Sequence, residues 1–81
     1  MTRWEAENII NQENLKRINW YDQDNLRENQ VGIKREDDYW VVYATDERAS
    51  IVTTSISNHV AESEALEMLI KKARTGKILF G

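Results

Sequence analysis

QVGIKREDDYWVVYATDERASIVTTS, residues 30–55, decides the fold. Three strand-like segments lie in this run and just past it, joined by two short charged turns. In the first, residues 30–35, Val31 and Ile33 fall on one face and Gly32 and Lys34 on the other. Gly32 leaves room for another backbone or a large ring to approach closely. The turn Glu36-Asp37-Asp38 leads into the second segment, residues 39–45, which is apolar on both faces. Tyr39, Val41 and Tyr43 share one face; Trp40, Val42 and Ala44 share the other. Such a strand is central in a sheet, with one face on a helix and the other partly covered or used for contact. The turn Asp46-Glu47-Arg48-Ala49 follows. Residues 50–57, rich in β-branched side chains (Ile51, Val52, Thr53, Thr54, Ile56), read as a third strand.

Helices flank this unit. Thr2 with Glu5 three residues later fits a capping box, and Ala6, Ile9 and Ile10 then line one face of a first helix. That face is lost beyond Asn11, so the helix ends near residues 11–13. Residues 15–21 read either as an extra helical turn or as an extended piece placing Ile18 and Trp20. The polar run 21–29 reads as a loop. Trp4 lies off the Ala6/Ile9/Ile10 face and either packs on the second helix or marks a self-association surface. The final helix is the clearest element: Ala65, Leu66, Leu69, Ile70 and Ala73 form one stripe at helical spacing. Ser63 fits its N-cap, with Glu62 or an earlier start as alternatives, and Gly76 stands where a C′ glycine belongs. Glu64 and Glu67 lie early and Lys71, Lys72 and Arg74 late, matching the helix dipole. Ile78, Leu79 and Phe80 form an apolar tail that folds back or meets a partner. The expectation is a single α+β domain over residues 1–81 in the order α-β-β-β-α. It consists of a three-stranded antiparallel meander packed against N- and C-terminal helices.

Eighty-one residues allow one core of marginal stability, and no Cys and only one His are present to supplement it. Packing, a partner or self-association must supply the rest. The absence of Cys fits a reducing compartment, and with no signal-like N-terminus or apolar span the chain reads as cytoplasmic, away from membranes. Residues 1–70 carry 14 acids and 7 bases, so most of the surface repels a phosphate backbone. The element order is shared with double-stranded-RNA-binding domains, which carry a basic cluster at the start of the last helix. Here that position reads Glu62-Ser63-Glu64, which argues against nucleic acid.

Catalytic and cofactor readings fail in turn. His59 has no Cys or Gly-flanked Ser near it in sequence. Zinc would need Cys or His ligands the chain lacks. Asp22-Gln23-Asp24 opens like a calcium loop, but Arg27 and Ile33 stand at its glycine and bidentate-glutamate positions. Asp37-Asp38 and Asp46-Glu47 flank the second strand, about 20 Å apart, too far to share one substrate bond. The chain is therefore expected to be a non-enzyme without cofactor or metal. An interaction surface remains: Asp37 and Asp38 at one turn and Asp46, Glu47 and Arg48 at the other. Tyr43, Trp20 and Tyr21 are candidate aromatic anchors. Arg48 either pairs internally, with Asp46 or a helix carboxylate, or faces the partner. An acidic surface of this kind suits a basic partner.

The QVGI strand (Gln30 to Ile33), the W-x-VY strand (Trp40 to Tyr43) entering a T-D-E-R-A turn (Thr45 to Ala49) and the S-E-x-L helix start carry a resemblance. With the Ile9-Ile10 helix and Asn19-Trp20-Tyr21, they resemble small immunity proteins of bacterial polymorphic toxin systems, mostly from Gram-positive bacteria. The resemblance implies a cytosolic protein that binds and neutralises a cognate toxin, the C-terminal toxin domain of a secreted protein. Fold and role carry over from such a family better than individual contacts. Another acidic interaction module, such as a phage inhibitor or antitoxin-like regulator, ranks second, and an RNA-binding domain third. Homo-oligomerisation stays open.

Overall fold

Thr2 Oγ1 accepts the Glu5 amide at 3.2 Å, and the Thr2 amide donates back to Glu5 Oε1 at 3.3 Å. The expected capping box therefore closes and launches α1 (Arg3–Gln12). The computed structural model describes the backbone of residues 1–80 and the side chains of residues 1–76. The helix stops through Asn14, which takes a left-handed φ of 53°. Its amide bonds Asn11 O and the Leu15 amide bonds Ile10 O at 2.9 Å, the paired bonds of a Schellman end. That turn drops Leu15 into the core, where it is 5% exposed.

The chain then extends. Residues 18–20 form β1 (Ile18–Trp20), followed by β2 (Val31–Glu36), β3 (Tyr39–Ala44), a 3₁₀ turn (Thr53–Ser55), β4 (Ser57–His59) and α2 (Glu62–Phe80). The sheet order is β1-β2-β3-β4, with β1 parallel to β2 and the other pairs antiparallel. The expected three-stranded antiparallel meander is thus a four-stranded mixed sheet within the α+β class. The extended alternative for residues 15–21 is the observed one. Ile18 and Trp20 pair beside Val31 and Ile33 and turn the same way, so the added strand enlarges the face that packs on the helices.

The second correction concerns residues 50–57, read as one continuous strand. Thr45 bridges Ile51 and Val42 pairs with Ser57, so the return chain spends six residues (51 to 57) where β3 spends three (42 to 45). The surplus is folded into the 3₁₀ turn. Ser55 Oγ accepts the Ala44 amide at 2.9 Å, replacing a ladder bond with a side-chain bond that β-propensity cannot foresee. The Lys72 ammonium donates to Ser55 O and ties the turn to α2.

The α2 stripe is buried as its spacing predicts: Ala65, Leu66 and Leu69 are fully buried, Ile70 and Ala73 nearly so. They pack on Ala6, Leu15, Ile33 and Val42, and each large aliphatic here contributes about 2 kcal/mol by leaving water. α2 begins at Glu62, so Ser63 lies inside its first turn, where its Oγ accepts the Met1 ammonium at 2.7 Å. Gly76 does not end the helix. α2 runs on to Phe80, since a helical glycine costs about 1 kcal/mol without breaking the hydrogen-bond ladder. The Ile78-Leu79-Phe80 expectation lies outside the described side chains. Arg3 Nε bonds Glu62 Oε2 at 2.6 Å and Arg74 Nε bonds Glu13 Oε1 at 2.9 Å. The two helices therefore run parallel, joined at both ends.

On the other face of the sheet, Gly32 lies directly across from Tyr43. A Cβ at Gly32 would stand 2.3 Å from Tyr43 Cζ, so the ring occupies the space a side chain would need. The phenol is fully buried, and its hydroxyl donates to Asn19 Oδ1 at 2.8 Å. Asn19 Nδ2 in turn donates to Asp22 O at 2.9 Å and to Asn25 O at 3.3 Å, folding the 21–30 loop back onto β1. Lys34 extends over the ring with its Nζ 6.0 Å from the centroid.

Two outcomes follow for urea unfolding. Gly32→Ala should destabilise by about 2 kcal/mol or more by overpacking against a ring that cannot move. The double variant Gly32→Ala/Tyr43→Ala should be less unstable than the sum of the single ones, because the clash is then gone. Burial and the nearby Asp22 charge push the Tyr43 phenol up to about 12 from 10.0. A raised phenol favours the neutral form in the folded state, so its contribution is full below pH 10 and lost above it. Tyr43→Phe should flatten the alkaline limb of a stability–pH curve between pH 10 and about 12.

Candidate protein-binding surface

The β2–β3 hairpin closes on the Glu36–Tyr39 pair, leaving Asp37 and Asp38 as a two-residue loop. Asp37 takes φ 34°, a position hairpin loops ordinarily give to glycine. Both carboxylates are exposed, and Lys34 Nζ is held by Glu36 Oε1 at 2.9 Å. Tyr39, beside them, is 38% exposed. Trp40 pairs with His59 in the last rung between β3 and β4, so Val60, 84% exposed, follows β4 at this same end.

The second turn is built differently. Thr45 Oγ1 donates to Arg27 O at 2.6 Å and accepts the Gln30 amide at 2.7 Å, stitching the 21–30 loop to the end of β3. Asp46 Oδ1 accepts the amides of Arg48 at 2.8 Å and Ser50 at 3.0 Å, and Ala49 takes φ 62°. The expected contact residue Asp46 is thus the internal brace of its own turn. Only Glu47 and Arg48 project as exposed side chains. Asp46 receives the Arg48 amide, and no ion pair joins Arg48 to it among the described residues.

The aromatic anchors fall elsewhere again. Tyr43, read as a contact residue, is sealed beneath the sheet's second face, a correction that Gly32 explains. Trp20 is half-buried against the core and meets Tyr21 edge-to-face, with centroids 5.1 Å apart. The Tyr21 hydroxyl donates to Glu62 Oε2, and the Arg3 guanidinium lies 4.2 Å from the Tyr21 ring centroid. This cluster joins β1 to the N-terminal ends of both helices. Burial, then the bond to Glu62, raise the Tyr21 phenol. Burial raises the Glu62 carboxyl, but bonds from Tyr21 and Arg3 outweigh it and leave the group below its ordinary range. Trp40 adds to that lowering, and its buried Nε1 has no hydrogen-bond partner among the described residues.

The eight candidate residues therefore do not form one patch. Trp20 and Tyr21 come together as a structural cluster, Tyr43 is interior, and the two turns stand apart by the length of β3, about 20 Å. Tyr39 and Val60 are exposed apolar residues at the hairpin end that sequence reading missed, as are Val52 and Ile56 beside the 3₁₀ turn. That the two tyrosines share a face was legible, whereas which of them Gly32 seats is set by the β2–β3 register. Val60 carried no such signal. Trp4 is 72% exposed, so it does not pack on the second helix.

At the far end of the sheet, a groove of about 460 Å³ runs between the α1–β1 connection, β2, β3 and α2, lined by Asn14, Val31, Ala44, Thr45 and Ala73 among others. Its one hydroxyl, Thr45, is committed to backbone partners. His59 Nε2 lies 2.9 Å from Ser57 Oγ. Among the described residues, no cluster of His, Cys, Asp or Glu has the geometry to hold a metal, and no helix is long and apolar enough to cross a membrane. No family model, curated protein or solved structure matches this chain.

Two measurements check these assignments. Asp46→Ala should lower stability by about 1 kcal/mol through loss of the brace, while Glu47→Ala should leave the melting temperature unchanged. The depressed Glu62 carboxyl stabilises the fold fully above its ordinary value of 4.5 and loses that contribution as pH falls further. A Glu62→Gln variant should therefore be less stable than the parent at pH 6, with the gap closing on acidification below 4.5.

Proposed function

We propose that this chain is a stoichiometric inhibitor of the immunity type. It binds one cognate bacterial toxin, the C-terminal toxin domain of a secreted protein, and acts by occupying it rather than by catalysis. The observation that carries the reading is the state of the acidic hairpin turn. Asp37 and Asp38 are exposed on a turn closed by backbone pairing, so their charges are free of structural duty. Rigid, uncompensated carboxylates on a small scaffold attract a basic protein and steer its approach. The resemblance to immunity proteins supports the same role. Of the T-D-E-R-A turn that carries part of it, Thr45, Asp46 and Ala49 shape the turn, and Glu47 and Arg48 are exposed. Its place is the cytoplasm of the producing cell, where the cell's own toxin would act.

The test is to search the genes flanking this chain's for a C-terminal toxin domain and to titrate that domain with the chain. Inhibition should be complete at one chain per toxin, and the association rate should fall about tenfold or more between 50 and 500 mM salt. Undiminished toxin activity at excess inhibitor would overturn the reading.

A further inference from the structure

The exposed large apolar residues divide between two places. Val52 and Ile56, 36% and 42% exposed, flank the 3₁₀ detour. Tyr39 and Val60 lie at the hairpin end, and Trp4 lies on the first turn of α1. Tyr39 opens β3 and Val60 follows β4 just past the Trp40–His59 rung. Trp4 adjoins Arg3, which bonds Glu62, two residues beyond Val60.

Charge is divided the same way. Every base at the hairpin end is engaged. Lys34 bonds Glu36, Arg3 bonds Glu62, the Met1 ammonium bonds Ser63, and Arg35 lies over Trp40 at 5.4 Å. Asp37, Asp38 and Glu64 are exposed there, and none of them is in an ion pair among the described residues. The opposite end, around Thr45 and the α1–β1 connection, mixes the two signs, with Lys16, Arg27 and Arg48 beside Glu28, Asp46 and Glu47. Asp37 adds an independent mark: it keeps a charged side chain at φ 34°, where glycine would sit without strain.

We infer that the hairpin end is the docking surface for a basic protein. Tyr39 and Val60 are its apolar contact, and Asp37, Asp38 and Glu64 are the charges that meet the partner's lysines and arginines. This rests on the reading of the chain as a toxin inhibitor and narrows it to one surface. An aromatic and an aliphatic residue inside a polar rim have the composition of binding hot spots. The Asp46–Arg48 turn lies outside this surface, since a basic partner there would meet the neighbouring cations.

Two experiments test it. In the first, the toxin domain found among the flanking genes is titrated with variants. Tyr39→Ser/Val60→Ser should weaken binding about 100-fold and Glu47→Lys less than about threefold. Asp37→Gly should raise or keep the melting temperature yet weaken binding about tenfold, a combination that a purely structural Asp37 would not produce. Tight binding by these hairpin variants, with loss on Glu47→Lys, would overturn the surface assignment and leave the inhibitor reading standing. Failure of the parent chain to bind would overturn the inhibitor reading alone.

The second experiment needs no toxin: a random peptide display library is selected on the immobilised chain. Enrichment of lysine- and arginine-rich peptides that release from Tyr39→Ser/Val60→Ser supports the surface. Enriched peptides without basic residues, peptides that ignore those substitutions, or no enrichment at all would overturn it.

Discussion

The phenol of Tyr43 lying over Gly32 is the contact on which the sheet depends. It crosses from β3 over β2 and ends on Asn19 of β1, so one side chain spans three strands. Asn19 passes the connection onward by holding two carbonyls of the 21–30 loop. A buried phenol without a partner would be costly, and so would a buried asparagine; each removes the other's penalty. The glycine is the condition for all of it, because no Cβ fits beneath the ring. The same arrangement explains why a three-residue parallel strand stays attached to the edge of the sheet.

The helix layer is organised by a second constraint. α1 and α2 run parallel, and the Arg3–Glu62 and Arg74–Glu13 pairs set their ends in register. Exposed ion pairs of this kind add little net stability, so cohesion comes from the buried Ala6, Leu66, Leu69 and Ile70 between helices and sheet. The pairing matters more for where charge ends up. With both N-termini at the hairpin end, the acids of two first turns lie at the same end of the domain as Asp37 and Asp38, while Lys71, Lys72 and Arg74 of α2 go to the other end. Charge segregation on a small domain follows here from helix direction rather than from any acidic run in the chain.

The two acidic turns look equivalent in sequence and are not equivalent in space. Both place carboxylates after a strand. In one, Asp46 spends an oxygen on two amides and Thr45 binds two backbone groups of the 21–30 loop, so most of the polar chemistry turns inward. In the other, backbone pairing alone closes the loop and both aspartates remain available. The division leaves one turn to brace the scaffold and the other exposed to solvent.

Sequence by itself determined the α+β class, the extent of α1 with its capping box, the α2 stripe, the β2–β3 hairpin and the two turns. These are set within a few residues of chain, by period-2 or period-3.6 burial, by capping and by turn chemistry. Gly32 even announced a closely seated ring. What only the tertiary structure decided was long-range. β1 joined the sheet because its apolar residues extended a face already made by β2 and β3. The β-branched run 51–56 gave up a continuous strand because Ser55 bonded Ala44. Of two tyrosines on one face of β3, Tyr43 sank and Tyr39 stayed out, because Gly32 lies opposite only one of them. Propensity is a property of neighbours along the chain, whereas burial of a particular ring depends on what the fold brings across from it.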